Sequence, residues 1–338
     1  MINELIREGI QSKTRKSYDS ALNDFFTFCE IFGHDPTKVE VRTIQEYVVY
    51  LWKFTEVPHK AASRRVTAVG FYWKSMGKDW NRANHPSLAA MFKGYRYKRP
   101  SKVRPRNPFT FFHMQKAFEH IDLSTYNGLL IGSTLSIGYF FGGRIGEYSP
   151  NSREDWKSIL LRGDLLFIGN QRNPNALILD FKLHKTNKHG IYSAKVECIC
   201  SCDLGICPVH IIYKFMKVRD GEYGDDPHLP FLLRLNEMPI PQYAVNHLIK
   251  NLTIKMGLDP TLYSSHSLRS GRATDLARAN KPAWFIKKWG RWRSDCWQDF
   301  YAKLDLRDIA VLSNLSWHQL GIADNSLIST PRPQRSEE

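Results

Sequence analysis

Three short segments contain side chains that could together act on a phosphodiester: GGRIGEY (142–148), HSLRSGRAT (266–274) and GRWRSDCWQDFY (290–301). Arg144 and Arg269 each carry a permanent charge and a planar fork of donors, so they could hold one phosphate from two sides. Tyr301 offers a hydroxyl for in-line attack on phosphorus. This combination predicts a cleavage that leaves the phosphate covalently attached to a tyrosine.

Further side chains in the same segments could assist this chemistry. His266 titrates near neutral pH and suits acid–base work on the tyrosine or the phosphate. Trp292 can only donate a hydrogen bond through its indole nitrogen, so it would stabilise the phosphate or support Tyr301 without moving a proton. Glu147 is predicted to orient Arg144 or His266 and to take no part in the chemistry itself.

The order and spacing of these residues resemble the signature of the tyrosine recombinases, which is an Arg, a Lys in a hairpin, His-x-x-Arg, a His or Trp, and a Tyr nine residues later. The matching positions are Arg144 with Glu147 three residues on, His266 with Arg269, and Trp292 nine residues before Tyr301. The motifs cover about residues 108–305. The N-terminal part resembles the family's core-binding domain only in type, through SKTRKSYDSALNDFFTFC near its start.

The resemblance implies a two-domain clamp that cuts and rejoins duplex DNA through a 3′-phosphotyrosine, without ATP or a catalytic metal, in a tetramer on paired DNA sites. It also implies that a hairpin lysine protonates the leaving 5′ oxygen. HKTNKHG (184–190) offers Lys185 and Lys188, with Lys182 just before, and we predict Lys185 from its His-Lys-Thr setting. Within the family, the Trp at position 292, where His is commoner, and the compact helical bundle most resemble those of the Crypton and DIRS-type transposon enzymes.

Two other functions remain open. A monomeric type IB topoisomerase would share nearly all of these residues and would relax supercoils without exchanging DNA partners. A catalytically silent DNA-binding relative would keep the fold without the reaction, although every expected polar position is filled here.

The composition supports a nucleic-acid partner. The chain has 338 residues, a formal net charge of +15 and 42% hydrophobic residues, which suits one large or two ordinary domains. Lys and Arg gain affinity by releasing counterions from phosphates, although basic surfaces also suit anionic lipids. The lack of a long apolar run or a secretory leader predicts a soluble, intracellular protein, nuclear if the host is eukaryotic.

Residues 1–97 are predicted to form an all-α bundle that binds DNA. Apolar spacings of three and four predict its helices, at 13–29, 41–54, 61–77 and 87–98. Residues 98–110 interleave prolines with basic residues and predict an extended tether. Residues 1–106 hold 20 Lys and Arg against 10 Asp and Glu. The predicted DNA contacts are Lys13, Arg15, Lys16, Arg64, Arg65, Lys102, Arg104 and Arg106, with a merely solvated helix surface as the alternative.

Residues 111–338 are predicted to form a mainly helical α+β catalytic domain with a small antiparallel sheet. Aliphatic and β-branched runs predict its strands, at 164–170, 175–183 and 190–198. Helical periodicity covers most of the remainder, in segments that begin at Leu123, Arg144, Val209, Tyr243, His266 and Pro282. A last amphipathic stretch, 306–320, could dock on a neighbouring subunit or pack within its own chain.

A cysteine-rich stretch, CICSCDLGICPVH (198–210), could hold a structural zinc ion. Its candidate ligands are Cys198, Cys200, Cys202, Cys207 and His210. Alternating cysteines also fit a strand with one buried apolar face. No metal is predicted for catalysis, because Arg and Lys already supply the positive charge.

Overall fold

The computed structural model describes residues 9–10, 12–100, 106–181, 194–200, 202, 206–292, 294–295 and 298. The chain divides into two compact units, Met1–Arg104 and Pro105–Glu338. The predictions that lie outside the described residues include Lys185 and the rest of its hairpin, the nucleophile Tyr301, and the helix at 306–320.

The described part of the N-terminal unit is helical, with α1 (Ser12–Phe32), α2 (Val41–Phe54), α3 (His59–Ser75), α4 (Pro86–Lys98) and a 3-10 turn at Arg82–Asn84. These are the four helices that the apolar periodicity predicts. Their inner faces meet in an aromatic core in which Phe25, Tyr47 and Trp73 are completely buried. The Trp73 indole donates to the Pro36 carbonyl at 2.8 Å, so α3 is fastened to the turn that follows α1.

The C-terminal unit contains α5 (Phe111–Phe118), α6 (Tyr126–Tyr139), α7 (Ile145–Tyr148), α8 (Pro208–Tyr223), α9 (Gln242–Lys255), α10 (Ser265–Arg278) and α11 (Ala283–Trp289). Short 3-10 turns lie at Arg153–Ser158, Arg162–Asp164 and Pro260–Leu262. Helix α6 is apolar on nearly every side and is buried continuously from Gly132 to Tyr139. Helices α8 and α10 pack against α6.

An antiparallel sheet with the order β1-β2-β3 lies in the same unit, built from β1 (Leu165–Asn170), β2 (Asn173–Phe181) and β3 (Ala194–Ile199). Leu165 pairs with Leu179 between the first two strands, and Phe181 pairs with Ala194 between the last two. Strands β2 and β3 pack against α8. Leu177, Leu179 and Phe181 alternate toward the core and are buried. The connection that carries Lys185 thus leaves the sheet at Phe181.

Helix α5 was not among the predicted elements. Its eight residues are too few for a clear periodicity, and they follow a Pro-rich segment. Contacts distant in sequence fix its start, because the Phe111 N–H donates to the Asp275 carboxylate at 2.7 Å. Just before it, the Phe109 N–H donates to the Ser267 carbonyl at 2.8 Å, and the Phe109 ring is fully buried. Tertiary contacts therefore order the end of the Pro-rich segment.

The predicted fold class is confirmed: a helical bundle precedes a mainly helical α+β unit with a small antiparallel sheet. Within the described ranges, no helix has both the length and the apolar character needed to cross a membrane.

Candidate active site

Arg144 and Glu147 are brought together by the first turn of α7. Arg144 stands immediately before this helix, and its backbone N–H donates to Glu147 Oε2 at 2.8 Å. The Arg144 guanidinium donates to the other carboxylate oxygen at 2.9 Å. Glu147 is only 5% exposed, whereas 22% of the Arg144 side chain remains accessible. The carboxylate thus holds a guanidinium that can still be approached from solvent.

Arg269 projects from α10 and is almost completely buried, at 1% exposure. Its guanidinium donates to the carbonyl oxygen of Gly142 at 2.5 Å and to the carbonyl of Gly290. These two carbonyls lie just before α7 and just after α11. Arg269 therefore joins the three segments that the sequence singles out, although they are far apart along the chain.

Arg291 belongs to the same site and was missed by sequence reasoning. Its guanidinium donates to Glu147 Oε2 at 2.7 Å and to the Gly142 carbonyl at 2.9 Å. Its own carbonyl accepts a 3.4 Å hydrogen bond from Arg144. The available signal was its position directly before Trp292 in a segment already chosen for chemistry. A buried carboxylate beside Arg144 could also have prompted a search for a second cation.

Two glycines allow these contacts. Gly142 has a φ of +59°, and a Cβ at this position would lie 2.9 Å from the Trp289 ring. A Cβ at Gly290 would lie 1.8 Å from the Trp292 ring, which is closer than atoms can approach. A side chain at either position would therefore displace the carbonyl that Arg269 binds.

Trp292 lies beside Arg269. The guanidinium carbon of Arg269 is 4.7 Å from the centre of the Trp292 ring, within the range of a cation–π contact. Trp289 packs against the same ring, with 6.0 Å between centroids. The indole thus covers one side of the buried cation.

The charges of the site change the pKa values of its two titratable members. Burial opposes ionisation of Glu147, but Arg291 and Arg144 outweigh it and lower its pKa below the ordinary value. His266 lies on the first turn of α10, where partial desolvation and the charges of Arg106, Arg269 and Arg144 lower the pKa of its imidazole. Glu147 is therefore an anion at neutral pH, and His266 is mainly a neutral base.

Comparison with known proteins supports the same conclusion about fold. No protein-family model and no curated protein matches the sequence. The Tn1549 transposon integrase in complex with transposon right end DNA is 13% identical over 93% of this chain and 98% of that chain, with a TM-score of 0.56. The XerH recombinase bound to a palindromic difH substrate is 12% identical over 90% and 79% of the two chains, with a TM-score of 0.55.

This chain has the tyrosine-recombinase fold. A lambda integrase dimer bound to a COC′ core site is also similar, at 16% identity over 88% of this chain and 94% of that chain, with a TM-score of 0.50. Sequence identities this low indicate a shared fold and no finer assignment. The predicted similarity to Crypton and DIRS-type enzymes therefore stays a prediction.

Within the tyrosine-recombinase fold, the predicted lysine hairpin begins beside the arginines. The guanidinium carbon of Arg291 lies 4.3 Å from the centre of the Phe181 ring, and Phe181 is the last residue of β2. Lys185 follows four residues later, within about 14 Å of Phe181 along an extended chain. Strand β2 thus ends beside Arg291, four residues before Lys185 in the sequence.

The predicted DNA contacts differ in their surroundings. Lys16, Arg64 and Arg106 are exposed, and Arg15 is half-buried. Arg65 instead forms an ion pair with Asp24 at 2.7 Å, which leaves it less available to a phosphate. Lys102, Arg104 and the side chain of Lys13 lie outside the part of the molecule that the structure describes.

The cysteine-rich stretch brings four potential metal ligands together: Cys200, Cys202, Cys207 and His210. Cys198 is not among them. It lies on β3 opposite Leu177 and packs against the apolar core, and burial raises the pKa of its thiol to about 12. The structure thus separates Cys198, which is partly buried against the core, from a compact ligand group.

Proposed function

We propose that this protein is a site-specific DNA recombinase of the integrase or transposase kind, which cleaves and rejoins duplex DNA through a 3′-phosphotyrosine at Tyr301. The observation that carries the proposal is that Arg144 lies close to Arg269 and His266, which are far from it in sequence, within the tyrosine-recombinase fold. Electrostatic stabilisation of a phosphoryl transition state requires such fixed donors.

The two arginines of the motif, Arg144 and Arg269, would have different roles. Arg144 retains solvent access and would bind a non-bridging oxygen of the incoming phosphate. Arg269 is buried against Trp292 and would supply a fixed positive charge behind that phosphate. Glu147 accepts from Arg144 and Arg291, so it would position both guanidiniums without touching DNA.

Two proton transfers complete the reaction. The neutral imidazole of His266, with its lowered pKa, would accept the Tyr301 proton as the tyrosine oxygen attacks phosphorus. The bond to the 5′ oxygen then breaks, and Lys185 would give that oxygen its proton. The indole N–H of Trp292 can donate a hydrogen bond but does not transfer its proton, so Trp292 would stabilise the phosphate. A 5′ hydroxyl later attacks the phosphotyrosine and reverses these steps, and no ATP is consumed because the bond energy is retained.

The partner in this proposal is double-stranded DNA, with the protein acting as a tetramer on paired sites and in the nucleus of any eukaryotic host. The net charge of +15 supports a polyanionic partner. The similar XerH, Tn1549 integrase and lambda integrase structures contain DNA, and the lambda integrase is a dimer on its core site. No cofactor or catalytic metal forms part of the proposal, because the arginines supply the required charge.

Trapping the covalent intermediate tests the nucleophile. Purified protein would be mixed with nicked duplexes made from the DNA that flanks its own gene, and adducts that resist denaturant would be separated by electrophoresis. Wild-type protein should form an adduct at Tyr301, identified by mass spectrometry of the tryptic peptide, and Tyr301→Phe should bind the same duplex without forming one. An adduct with the Phe variant would show that another residue attacks.

The same substrates distinguish the proposed recombinase from a type IB topoisomerase and from a catalytically silent relative. A topoisomerase would relax supercoiled plasmid and show no pairing of DNA sites, whereas the proposed recombinase should yield strand-exchanged product and a four-protomer complex on paired sites. A silent relative would bind the duplexes and form no adduct at any pH.

A further inference from the structure

We propose that Cys200, Cys202, Cys207 and His210 bind one structural Zn²⁺ ion that fastens the end of β3 to the first turn of α8. This inference goes beyond the proposed function, because no step of DNA cleavage passes through the metal. Two donors, Cys200 and Cys202, follow β3, and the other two lie at the start of α8. Together they form the Cys3His set of many structural zinc sites.

The distances among the donors match a tetrahedral zinc site. The four ligand atoms all lie within 4.8 Å of one another. Cys200 Sγ lies 3.4 Å from Cys202 Sγ, 3.7 Å from Cys207 Sγ and 3.7 Å from His210 Nδ1. Zinc bonds to sulfur and nitrogen of ordinary length give tetrahedral edges of about 3.8 Å between sulfurs and about 3.6 Å between sulfur and nitrogen. Two separations must lengthen when the ion binds: that of Cys202 Sγ and His210 Nδ1, which is 2.9 Å, and that of Cys200 Sγ and Cys202 Sγ, which is 3.4 Å.

The donor types favour zinc over other common ions. Thiolate and imidazole are soft or borderline ligands, which Ca²⁺ and Mg²⁺ do not select, whereas Zn²⁺ binds both in tetrahedral geometry. A disulfide would join only two of the three sulfurs and would leave the imidazole unexplained. Zinc binding uses all four groups and releases the thiol protons to solvent.

Secondary structure already holds most of the site in place. Cys200 follows β3 directly, and its N–H donates to the Asn175 carbonyl of β2 at 2.7 Å. Cys207 is the N-cap of α8 and is 7% exposed, while His210 lies on the first turn of that 16-residue helix. Thiolates at this position also benefit from the positive end of the helix dipole. Cys202 alone is exposed, and it would cover the ion from the solvent side.

The position of the site indicates what the ion would stabilise. Strand β3 forms an edge of the sheet, because its pairing partner is β2 and the sheet order is β1-β2-β3. Helix α8 buries Ile212 and Phe215 in the core. A zinc ion between them would therefore tie an edge strand to a firmly packed helix, and it would limit fraying of the strand that returns from the Lys185 hairpin.

Metal analysis of the full chain tests the site. Protein expressed with zinc and dialysed against a weak chelator should retain about one zinc ion per chain, and Cys202→Ser should retain less than about a tenth of that. Cys198→Ser is the matched control, because it removes a nearby cysteine outside the ligand group, and it should retain zinc like the wild type. A wild-type protein without zinc, or a Cys202→Ser protein with normal zinc content, would overturn the proposal.

Cobalt substitution keeps the test decisive if a variant folds poorly. Adding Co²⁺ to metal-free wild-type protein should produce the strong visible absorption of tetrahedral cobalt together with sulfur-to-cobalt charge-transfer bands. His210→Cys should still bind one ion and intensify those charge-transfer bands, because a fourth thiolate replaces the imidazole. Weak octahedral absorption in the wild type, or bands in His210→Cys identical to those of the wild type, would contradict the assigned ligands.

Discussion

The two units of the molecule bury different kinds of side chain. Among the described residues of the N-terminal unit, the buried set is apolar and aromatic apart from Thr43. The C-terminal unit buries Glu147, Asp164, Arg219 and Arg269. Burying a charge is unfavourable unless partners compensate for the lost water, so such residues indicate either a structural pair or a site. Two of the buried charged residues, Arg219 and Arg269, are arginines.

Those arginines have different partners. Arg219 donates to the Asp220 carboxylate at 2.9 Å and to the carbonyl of Gly224 at 2.8 Å, so a local carboxylate balances its charge. Arg269 donates to the Gly142 and Gly290 carbonyls and lies against Trp292. We infer that Arg219 maintains the fold and that Arg269 supplies charge to the reaction.

The largest expected effect is loss of cleavage in Arg269→Lys. A lysine keeps the charge but loses the planar fork, so the cleavage rate should fall by about 10²-fold to 10³-fold, as for the loss of one fixed donor in a transition state. Single-turnover assays on a nicked duplex would measure the rate, and band-shift titration should show little change in DNA affinity. A rate within about threefold of the wild type would exclude a catalytic function for Arg269.

Arg219→Ala should have the opposite effect to Arg269→Lys, because it should reduce stability and leave cleavage nearly unchanged. Arg162 still pairs with Asp220 at 2.8 Å in this variant. The loss is therefore that of the hydrogen bonds of the buried Arg219 guanidinium, and the free energy of unfolding should fall by about 1.5–3 kcal/mol in urea denaturation. The cleavage rate per folded molecule at low temperature should stay near that of the wild type. If this variant lost cleavage as completely as Arg269→Lys, the distinction between the two arginines would fail.

A smaller effect is expected at Arg291, which shares Glu147 with Arg144. Arg291→Lys should shift Arg144 without removing it, and the cleavage rate should fall by about tenfold, equivalent to about 1.4 kcal/mol. Arg234→Lys, in a turn of the same unit, is the control and should cleave normally. Because Arg291 acts by positioning, Glu147→Gln should produce a loss of similar size, and the double variant should be less than additive.

The pH dependence of cleavage should show the lowered pKa of His266. A neutral imidazole is needed to accept the tyrosine proton, so the cleavage rate should fall only below the ordinary histidine pKa of about 6.5.

The lowered pKa of His266 should also affect stability. The imidazole of the unfolded chain becomes protonated at a higher pH than that of the folded protein, so His266 should reduce stability as the pH falls below about 6.5. In DNA-free protein, NMR titration should give a higher His266 pKa in Arg106→Gln than in the wild type. An unchanged value would remove Arg106 as a cause.

The smallest effects are expected in the N-terminal unit. Arg64 is exposed, whereas Arg65 is paired with Asp24. Arg64→Ala should therefore reduce the slope of log affinity against log salt by about 0.9, the contribution of one phosphate contact, whereas Arg65→Ala should change it less. Equal slopes in the wild type and both variants would place DNA binding elsewhere on this unit.

Sequence reasoning succeeded where one face of an element is buried. The periodicity of α1 to α4 and the apolar runs of β1 and β2 reflect local rules that act within a few residues. It missed α5, whose start depends on Asp275, and Arg291, whose place depends on Glu147. Both rely on partners more than a hundred residues away, which a local pattern does not contain. The proposed roles of Lys185 and Tyr301 stay predictions that rest on motif and spacing.

The Gly142 carbonyl has a consequence for how the site tolerates mutation. Arg269 and Arg291 both donate to this oxygen, and it belongs to the main chain. No single amino-acid replacement can delete it, in contrast to a carboxylate that Asp→Asn or Glu→Gln neutralises. Only a change in backbone path can move it, and Gly142, with its positive φ, is the residue that sets that path. Most substitutions therefore leave in place the carbonyl to which Arg269 and Arg291 donate. Substitution of Gly142 is the exception, because it would change the path of the backbone.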